Sequence, residues 1–349
     1  MLRKNSYDVI RLLAAASVVF SHSFAVTGHM QPKIGVANLG TVGVWVFFIL
    51  SGYLISKSWD QYPRFNIFFA KRALRIFPAL IVSTLATIAA VGLFFTTVPF
   101  MQFLFDQETW TYLNNILLYN TQYTLPGAFD TNILPRGING SLWTLAYEFT
   151  MYLTVAVIGV LKLYKKIPPI AFWIVLFLLS LAMVIFGREI FSLSVFYLML
   201  NELIPLALMF FSGILMSKHE SKIKLKVSYG VVSLAYFVGL SYAFPSAVSL
   251  FAATFLAYAL FSLGSSPKFS WVGKLGDFSY GLYIFSFPIQ QMIASVTHTT
   301  NAYKMFALSF ALTLIVAIGS WYLVESKALQ LKSKINPKRY PLDIVDEAW

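Results

Sequence analysis

Three ionisable residues interrupt strongly hydrophobic stretches of this sequence and are the first candidates for chemistry. Arg11 and His22 are eleven positions apart, which on a helix places them within about 20° of one face and about 16 Å apart along the axis. Glu148 follows Ser141 by seven residues, about 10 Å deep if a helix enters the membrane at Ser141. Because ionisable side chains are costly inside a bilayer, all three are functional candidates.

His22 and Glu148 are predicted to lie at similar depth, nearer the outer surface. A carboxylate beside an imidazole orients it or stabilises its charged form, as in general acid–base catalysis. The alternatives are structural. His22 would bond to a backbone carbonyl or to the adjacent Ser21 or Ser23, and Glu148 would bond to another helix and hold the bundle together. The spacing leaves both interpretations open.

A cluster of basic residues lies in the segment RFNIFFAKRALRIFP. On a helix, Arg64, Lys71 and Arg75 fall within about 40° of one another, and Arg72 lies about 80° away. Several cations on one face suit a polyphosphorylated ligand, because arginine binds phosphate oxygens bidentately. The alternative is an interfacial helix that binds anionic lipid.

The elements that position these residues are predicted to be transmembrane helices. Of 349 residues, 58% are hydrophobic and 11% charged, far from the composition of soluble domains. We predict an all-α, polytopic membrane helix bundle over residues 1–325, followed by a cytoplasmic tail, 326–349. About ten transmembrane helices are expected, at 9–28, 38–57, 77–98, 141–161, 169–186, 199–217, 227–244, 247–264, 279–297 and 303–324.

The basic residues indicate the orientation of the bundle. With a cytoplasmic N-terminus, 21 of the 26 Lys and Arg residues fall in inner segments, which predicts that both termini are cytoplasmic. This bias accounts for the net charge of +12, and no nucleic-acid partner is expected. With no cysteine and four histidines that form no His-x-x-x-His pair, no metal site is expected either.

An unusually long outer segment, 98–140, is predicted to cap an outward-facing cavity. Aromatic residues in and near it are candidates for stacking on sugar rings, although an aromatic belt at the membrane interface has the same composition. These candidate substrate-binding residues are Trp110, Tyr123, Trp143 and Tyr147.

Six motifs, taken in order, resemble those of the acyltransferase-3 family of integral membrane acyltransferases, which includes O-acetyltransferases of bacterial surface polysaccharides. They are Arg11 with His22, GVWVFFILSGYLIS, Arg72 with Arg75 before IFP, SLWTLAYEF, GDFSYGLYIFSFP and YLVES. The resemblance implies ten or so helices in the bacterial cytoplasmic (inner) membrane. It also implies that an acyl group passes from cytoplasmic acetyl-CoA to a hydroxyl of a cell-surface or lipid-linked glycan.

On this resemblance, the basic cluster holds the phosphates of acetyl-CoA. Arg72 and Arg75 are the expected contacts, with help from Arg64 or Lys71. Arg11 is expected to line the entry for the donor.

The resemblance also gives His22 the role of general base on the acceptor hydroxyl, with Glu148 orienting or charging the imidazole. Direct transfer needs no covalent enzyme, and a route through an acylated side chain stays open. Relatives commonly carry histidine where this chain has Ser286, and proline often follows the glutamate equivalent to Glu325, where serine follows here. Some relatives carry an appended hydrolase-like domain; none is expected here, so the membrane domain or a polysaccharide-assembly partner would complete the transfer.

Two other classes compete with an enzyme. A secondary transporter or exporter of a glycan or lipid would use Arg11, His22 and Glu148 as a proton relay. Such transporters usually show paired half-repeats, which this sequence lacks. A polysaccharide polymerase or flippase-like scaffold is the third class.

Overall fold

A computed structural model of the chain describes residues 5–335. Each of the ten predicted hydrophobic segments is helical in this part of the chain, so the predicted all-α bundle is confirmed. We number these long helices in chain order: α1 Tyr7–Val26, α2 Leu39–Gln61, α3 Phe65–Ala90, α4 Trp143–Val160, α5 Pro169–Phe186, α6 Leu200–His219, α7 Val227–Ala243, α8 Pro245–Gly264, α9 Ser279–Thr297 and α10 Ala302–Ser320.

Three of these helices contain or continue into π-helical turns. α3 continues through Val91–Phe95, α8 contains Ala252–Leu256, and α10 continues through Trp321–Glu325 and then an α-helical turn, Ser326–Gln330. Turns of this kind bend a helix and change which residues face a neighbour. The last of them lies beside the candidate site.

Short elements connect the long helices. Two small antiparallel hairpins are present, β1 Lys33–Ile34 with β2 Ala37–Asn38, and β3 Ser194–Val195 with β4 Leu198–Met199. The short helices, α-helical or 3-10, are Phe100–Phe105, Gln107–Thr111, Tyr112–Leu117, Leu163–Lys165, Glu189–Phe191, Pro267–Phe269, Val272–Leu275 and Lys332–Ile335. Three of them lie in the long outer segment, which therefore has structure of its own.

Eight helices in residues 5–335 are long and apolar enough to cross a membrane. α7 is shorter, and α9 is not one of the eight although it has 19 residues. α9 carries the buried amides Gln290 and Gln291, a polar load that suits a helix enclosed by protein. By contrast, only 11% of the 18 residues of α5 are buried within the protein, as expected of a helix that faces lipid.

Small residues bring the central helices into close contact. A Cβ on Gly52 of α2 would lie 1.9 Å from the Phe210 carbonyl oxygen of α6, and one on Gly213 would lie 1.9 Å from the Ile49 carbonyl oxygen. The two backbones therefore touch where the helices cross, as small residues permit in membrane bundles. This contact fixes α2, which forms one wall of the candidate site.

α3 begins twelve residues earlier than the predicted segment, at Phe65 instead of 77. The basic stretch at its start is helical and continuous with the apolar span. We placed the start of the segment by hydropathy, which the charged residues of this stretch lower. No residue in the stretch breaks a helix, so the helix continues through it. The extension makes α3 long enough to carry Arg72 and Arg75 into the bundle.

Candidate functional site

A partly enclosed cavity of about 70 Å³ lies among α1, α2, α3, α4 and α9. On α2 its lining runs from Val44 to Ile55, eleven residues or about 16 Å along the helix. Its lining residues are Arg11, Val44, Phe47, Phe48, Ser51, Leu54, Ile55, Arg72, Arg75, Ile76, Thr144, Leu145, Glu148, Tyr152, Tyr280 and Tyr283.

A buried ionic network holds two of the three arginines. Arg11 Nη1 donates to Asp277 Oδ2 at 2.6 Å, and Arg75 Nη2 donates to the same oxygen at 2.5 Å. Arg75 Nη1 also donates to Glu325 Oε2 at 3.1 Å, and Ser320 donates to the other oxygen of Glu325 at 3.0 Å. Two carboxylates thus balance two guanidinium groups, which allows the charges to be buried.

Asp277 is the centre of this network. It lies just before α9, outside the membrane-spanning helices, and accepts bonds from Ser279 Oγ at 2.5 Å and Ser279 N at 3.3 Å. Burial alone would raise its pKa, but Arg11, Arg75 and the Ser279 bonds outweigh burial and lower the pKa of Asp277 below its ordinary value. The carboxylate is therefore ionised at neutral pH.

The basic cluster divides into residues that line the cavity and residues that do not. Arg72 lines it and donates to Ser58 Oγ at 3.3 Å. Lys71 is buried with its Nζ 3.5 Å from the centre of the Tyr62 ring, and Arg64 is exposed just before α3. The sequence spacing placed Lys71 and Arg64 on the same helix face as Arg75. In the structure, Arg72 is the residue that lines the cavity together with Arg75, which lies three residues further along the helix.

Glu148 lies in the same cavity as the arginines. Its Oε1 accepts a bond from Ser51 Oγ at 3.3 Å and a short bond from the Tyr152 hydroxyl. These contacts differ from the expected contact with His22, because Tyr152 lies one helical turn after Glu148 and supplies a local donor. Joint action of Glu148 and His22 stays a prediction.

His22 lies one turn beyond the cavity. Its ring meets Phe287 edge-on, with centroids 5.1 Å apart. Phe287 follows Tyr283, which lines the cavity, by four residues on α9. The His22 side chain keeps partial exposure, and within residues 5–335 its buried Nδ1 has no hydrogen-bond partner. A buried polar atom of this kind calls for a partner that the described residues do not supply.

One face of α9 connects the arginines with His22. Tyr280, Tyr283 and Phe287 follow one another at spacings of three and four, so they share a face. The Arg75 guanidinium lies 5.3 Å from the Tyr280 ring centre, and Phe287 contacts His22. The seven residues from Tyr280 to Phe287 rise about 10 Å.

The outer segment is fastened to α9 by side-chain amides. Gln291 Nε2 donates to the carbonyl oxygens of Leu134 at 2.8 Å and Gly137 at 2.6 Å. Asn139 Nδ2 donates to the Ile284 carbonyl oxygen at 2.8 Å. The segment therefore rests on α9 close to Phe287 and His22, and its role as a cap over an outward-facing cavity stays a prediction.

The four predicted sugar-binding aromatics do not form one cluster. Trp143 and Tyr147 are paired edge-on at 5.5 Å, and the Tyr147 hydroxyl accepts a bond from Met199 N of β4 at 2.9 Å. Trp110 is exposed on the outer segment with its Nε1 bonded to the Leu104 carbonyl, and Tyr123 is also exposed. Their role in substrate binding stays a prediction.

Sequence reasoning missed four members of the site. Asp277 and Glu325 lie within two of the six motifs, but no role was predicted for either. No neighbouring residue in the sequence indicates that each binds Arg75, which is more than 200 residues away. Ser51 lies within the motif GVWVFFILSGYLIS, where no ionisable neighbour marks it. Tyr152 carries a usable signal, the spacing of four from Glu148.

A helix bundle with apolar spans and a cavity lined by arginines and a glutamate defines an integral membrane protein with a polar site inside the bundle. Comparison with known proteins gives the particular class: residues 4–325 match the family model described as an acyltransferase domain. The chain belongs to the acyltransferase-3 family, which confirms the resemblance and makes it a membrane acyltransferase.

Three relatives illustrate the similarity. An "O-acetyl transferase" of Shigella phage Sf6 is 32% identical, over 95% of this chain and 98% of the relative. "Nodulation protein 10" of Rhizobium leguminosarum bv. viciae is 26% identical over 96% of both chains. "Acyltransferase MdmB" of Streptomyces mycarofaciens is 29% identical over 50% of this chain and 43% of its own length. No solved structure matches the chain.

Proposed function

We propose that this protein is an O-acetyltransferase of the bacterial inner membrane, which moves an acetyl group from cytoplasmic acetyl-CoA to a hydroxyl of a cell-surface or lipid-linked glycan. Family membership and the full-length relative named as an O-acetyl transferase support the reaction class. The observation that carries the proposal is the α9 face that leads from Arg75 past Tyr280 and Tyr283 to His22.

The arginines form the donor end of this route. A guanidinium has five N–H donors, and Asp277 and Glu325 take one each from Arg75. The ionic network therefore orients Arg75, which lines the cavity and has further N–H donors. The phosphates of acetyl-CoA would bind Arg72 and Arg75 near the entry beside Arg11, and the pantetheine arm would extend along the α9 face.

His22 is the proposed general base. It takes the proton of the acceptor hydroxyl as that oxygen attacks the thioester carbonyl. The carbon–sulfur bond then breaks, the CoA thiolate takes up the proton, and an acetyl ester and CoA leave. Glu148, held by Ser51 and Tyr152 in the cavity, is the proposed partner that orients or charges the imidazole.

Transfer of label tests the reaction. Purified protein would be mixed with acetyl-CoA labelled in the acetyl group and with membranes from a bacterium that lacks the gene. Label in the glycan or its lipid-linked precursor, with release of free CoA, is the expected result. Folded protein that neither releases CoA nor labels glycan contradicts the proposal.

Sidedness is tested in vesicles of known orientation. Labelled acetyl-CoA supplied only at the cytoplasmic face should label an acceptor supplied only at the outer face, because the arginines and His22 lie at opposite ends of the route. A requirement for both substrates on one face contradicts this route even if the reaction is correct.

A further inference from the structure

A second concave region, a groove between α5, α6 and α8, lies apart from the candidate site. Its volume is about 480 Å³, within the range of about 300–1,000 Å³ that ligand pockets occupy. It lies at the predicted cytoplasmic end of these helices, because it includes Ile170 and Trp173 from the first two turns of α5 and His219 at the end of α6. It shares no lining residue with the arginine-lined cavity.

The groove has the shape of a wedge. The contacts of α5 with α8 concentrate at residues 245–251, at the outer end of α8, whereas the groove begins at Ala253. The two helices therefore separate toward the predicted cytoplasmic end. α8 contributes the small residues Ala253 and Ala257, the first of them within the π-helical turn Ala252–Leu256, so its side of the groove leaves room between the helices.

The polar side chains inside the groove are bonded to the protein itself. Trp173 Nε1 donates to Ser212 Oγ at 2.8 Å, and Ser212 donates in turn to the Leu208 carbonyl oxygen at 2.9 Å. Thr254 Oγ1 donates to the Leu250 carbonyl oxygen at 3.0 Å. The groove therefore suits a hydrocarbon chain, since its other lining residues include Ile170, Leu215, Met216, Ile223, Ala253 and Ala257.

The mouth of the groove carries positive charge. Lys222 lines it and is exposed, in the connection that follows α6. The hydroxyl of Tyr258, which also lines the groove, donates to the Lys224 carbonyl oxygen at 2.7 Å. This bond holds the connection that carries Lys222 and Lys224 against the groove.

The acidic groups beside the end of α6 are already paired with other lysines. Glu220 bonds to Lys57 at 2.6 Å. Asp60 bonds to Lys218 at 2.5 Å. Within residues 5–335, Lys222 has no salt bridge with a carboxylate, so an anionic ligand at the mouth would meet a cation that lacks a counterion in the protein.

We propose that this groove binds one anionic phospholipid of the surrounding membrane, with an acyl chain in the apolar wedge and the phosphate at Lys222. Basic pockets between membrane helices on the cytoplasmic side suit anionic headgroups. The lipid would fill the space where α5 and α8 separate. The inference does not depend on the proposed reaction.

Native mass spectrometry of the purified, delipidated protein tests this binding. The protein would be mixed with equal amounts of phosphatidylglycerol, which is anionic, and phosphatidylethanolamine, which is zwitterionic, with the same acyl chains. Wild type should retain one phosphatidylglycerol in preference to phosphatidylethanolamine. Lys222→Gln should lower the ratio of the two bound lipids about 5-fold, which corresponds to the ~1 kcal/mol that one lysine contributes at an anionic membrane surface.

Two further variants separate the groove from the charge. Thr254→Phe places a ring in the groove, so it should abolish retention of both lipids. Lys274→Gln is the matched control, because Lys274 is an exposed lysine on the same predicted side of the membrane that does not line the groove. This control should keep the wild-type ratio of bound lipids.

Three results would overturn the proposal. Wild type could retain the two lipids equally, Lys274→Gln could lower the ratio as much as Lys222→Gln, or folded Thr254→Phe could retain lipid as wild type does. Loss of folding in Thr254→Phe leaves the two lysine variants to decide. Each of these results leaves the proposed acetyl transfer standing, because none of them measures it.

Discussion

Removing the Asp277 carboxylate should destabilise the protein strongly. Asp277→Asn preserves the shape of the side chain but leaves Arg11 and Arg75, both nearly buried, with only the Glu325 carboxylate in the network. Breaking a buried ion pair by removing one partner typically costs about 3–5 kcal/mol. The amide oxygen still accepts a hydrogen bond, so we expect about 3 kcal/mol, the lower end of that range.

The free energy of unfolding would be measured by chemical denaturation in detergent micelles near pH 7. Because the folded-state pKa of Asp277 is lowered, its contribution is fully present above the unfolded value of about 3.9 and is lost as the pH falls through the folded pKa. Neutral pH therefore reports the full effect.

Asp60→Asn is the matched control. Asp60 also pairs with a cation, Lys218 at 2.5 Å, but the two side chains are 51% and 26% exposed. Exposed pairs contribute about 0–1 kcal/mol, so this variant should stay within 1 kcal/mol of wild type. A change at Asp277 no larger than that at Asp60 would refute the reasoning that the network stabilises the site.

Three further predictions concern catalysis, donor binding and packing. His22→Ala should lower turnover at least about 100-fold with little change in acyl-CoA affinity; wild-type turnover would remove His22 from the mechanism. Arg72→Ala should weaken acetyl-CoA binding, measured by titration, by about 1.5–3 kcal/mol. The binding of a donor truncated before the phosphates should not change. Equal losses for the two donors would show that Arg72 serves lipid binding or membrane topology instead. Gly52→Ala should cost about 1–3 kcal/mol of stability because its Cβ would overlap the Phe210 carbonyl, whereas Gly319→Ala, with nothing within 4 Å of its Cβ, should unfold like wild type.

The helices were predictable because hydropathy adds up over some twenty residues and is insensitive to any one of them. The start of α3 was less predictable, because its charged first turns could belong to the span or to a separate interfacial helix. Helix starts were harder to predict. α4 begins at Trp143, not at 141, so Glu148 lies five residues into the helix and not seven.

The contacts within the site depend on information that a single sequence does not display. A helical wheel gave the angular position of Lys71 and Arg72, but the long side chain of Lys71 turns to the Tyr62 ring, and side-chain direction decides which of them enters the cavity. The bonds of Asp277 to Arg11 and Arg75 join positions 266 and 202 residues apart. Only the packing of α1 and α3 against the start of α9 brings them together.

The π-helical stretch Trp321–Glu325 matters for how homologous chains are compared. A π turn holds about one residue more than an α turn, so this stretch accommodates an extra residue while Glu325 still faces Arg75. Deleting one residue from the stretch would restore an ordinary helix with Glu325 at nearly the same angle, because four α-helical residues turn about as far as five π-helical residues. A one-residue gap just before this glutamate in an alignment therefore marks the loss of the π turn, and the glutamates of the two chains remain structural equivalents.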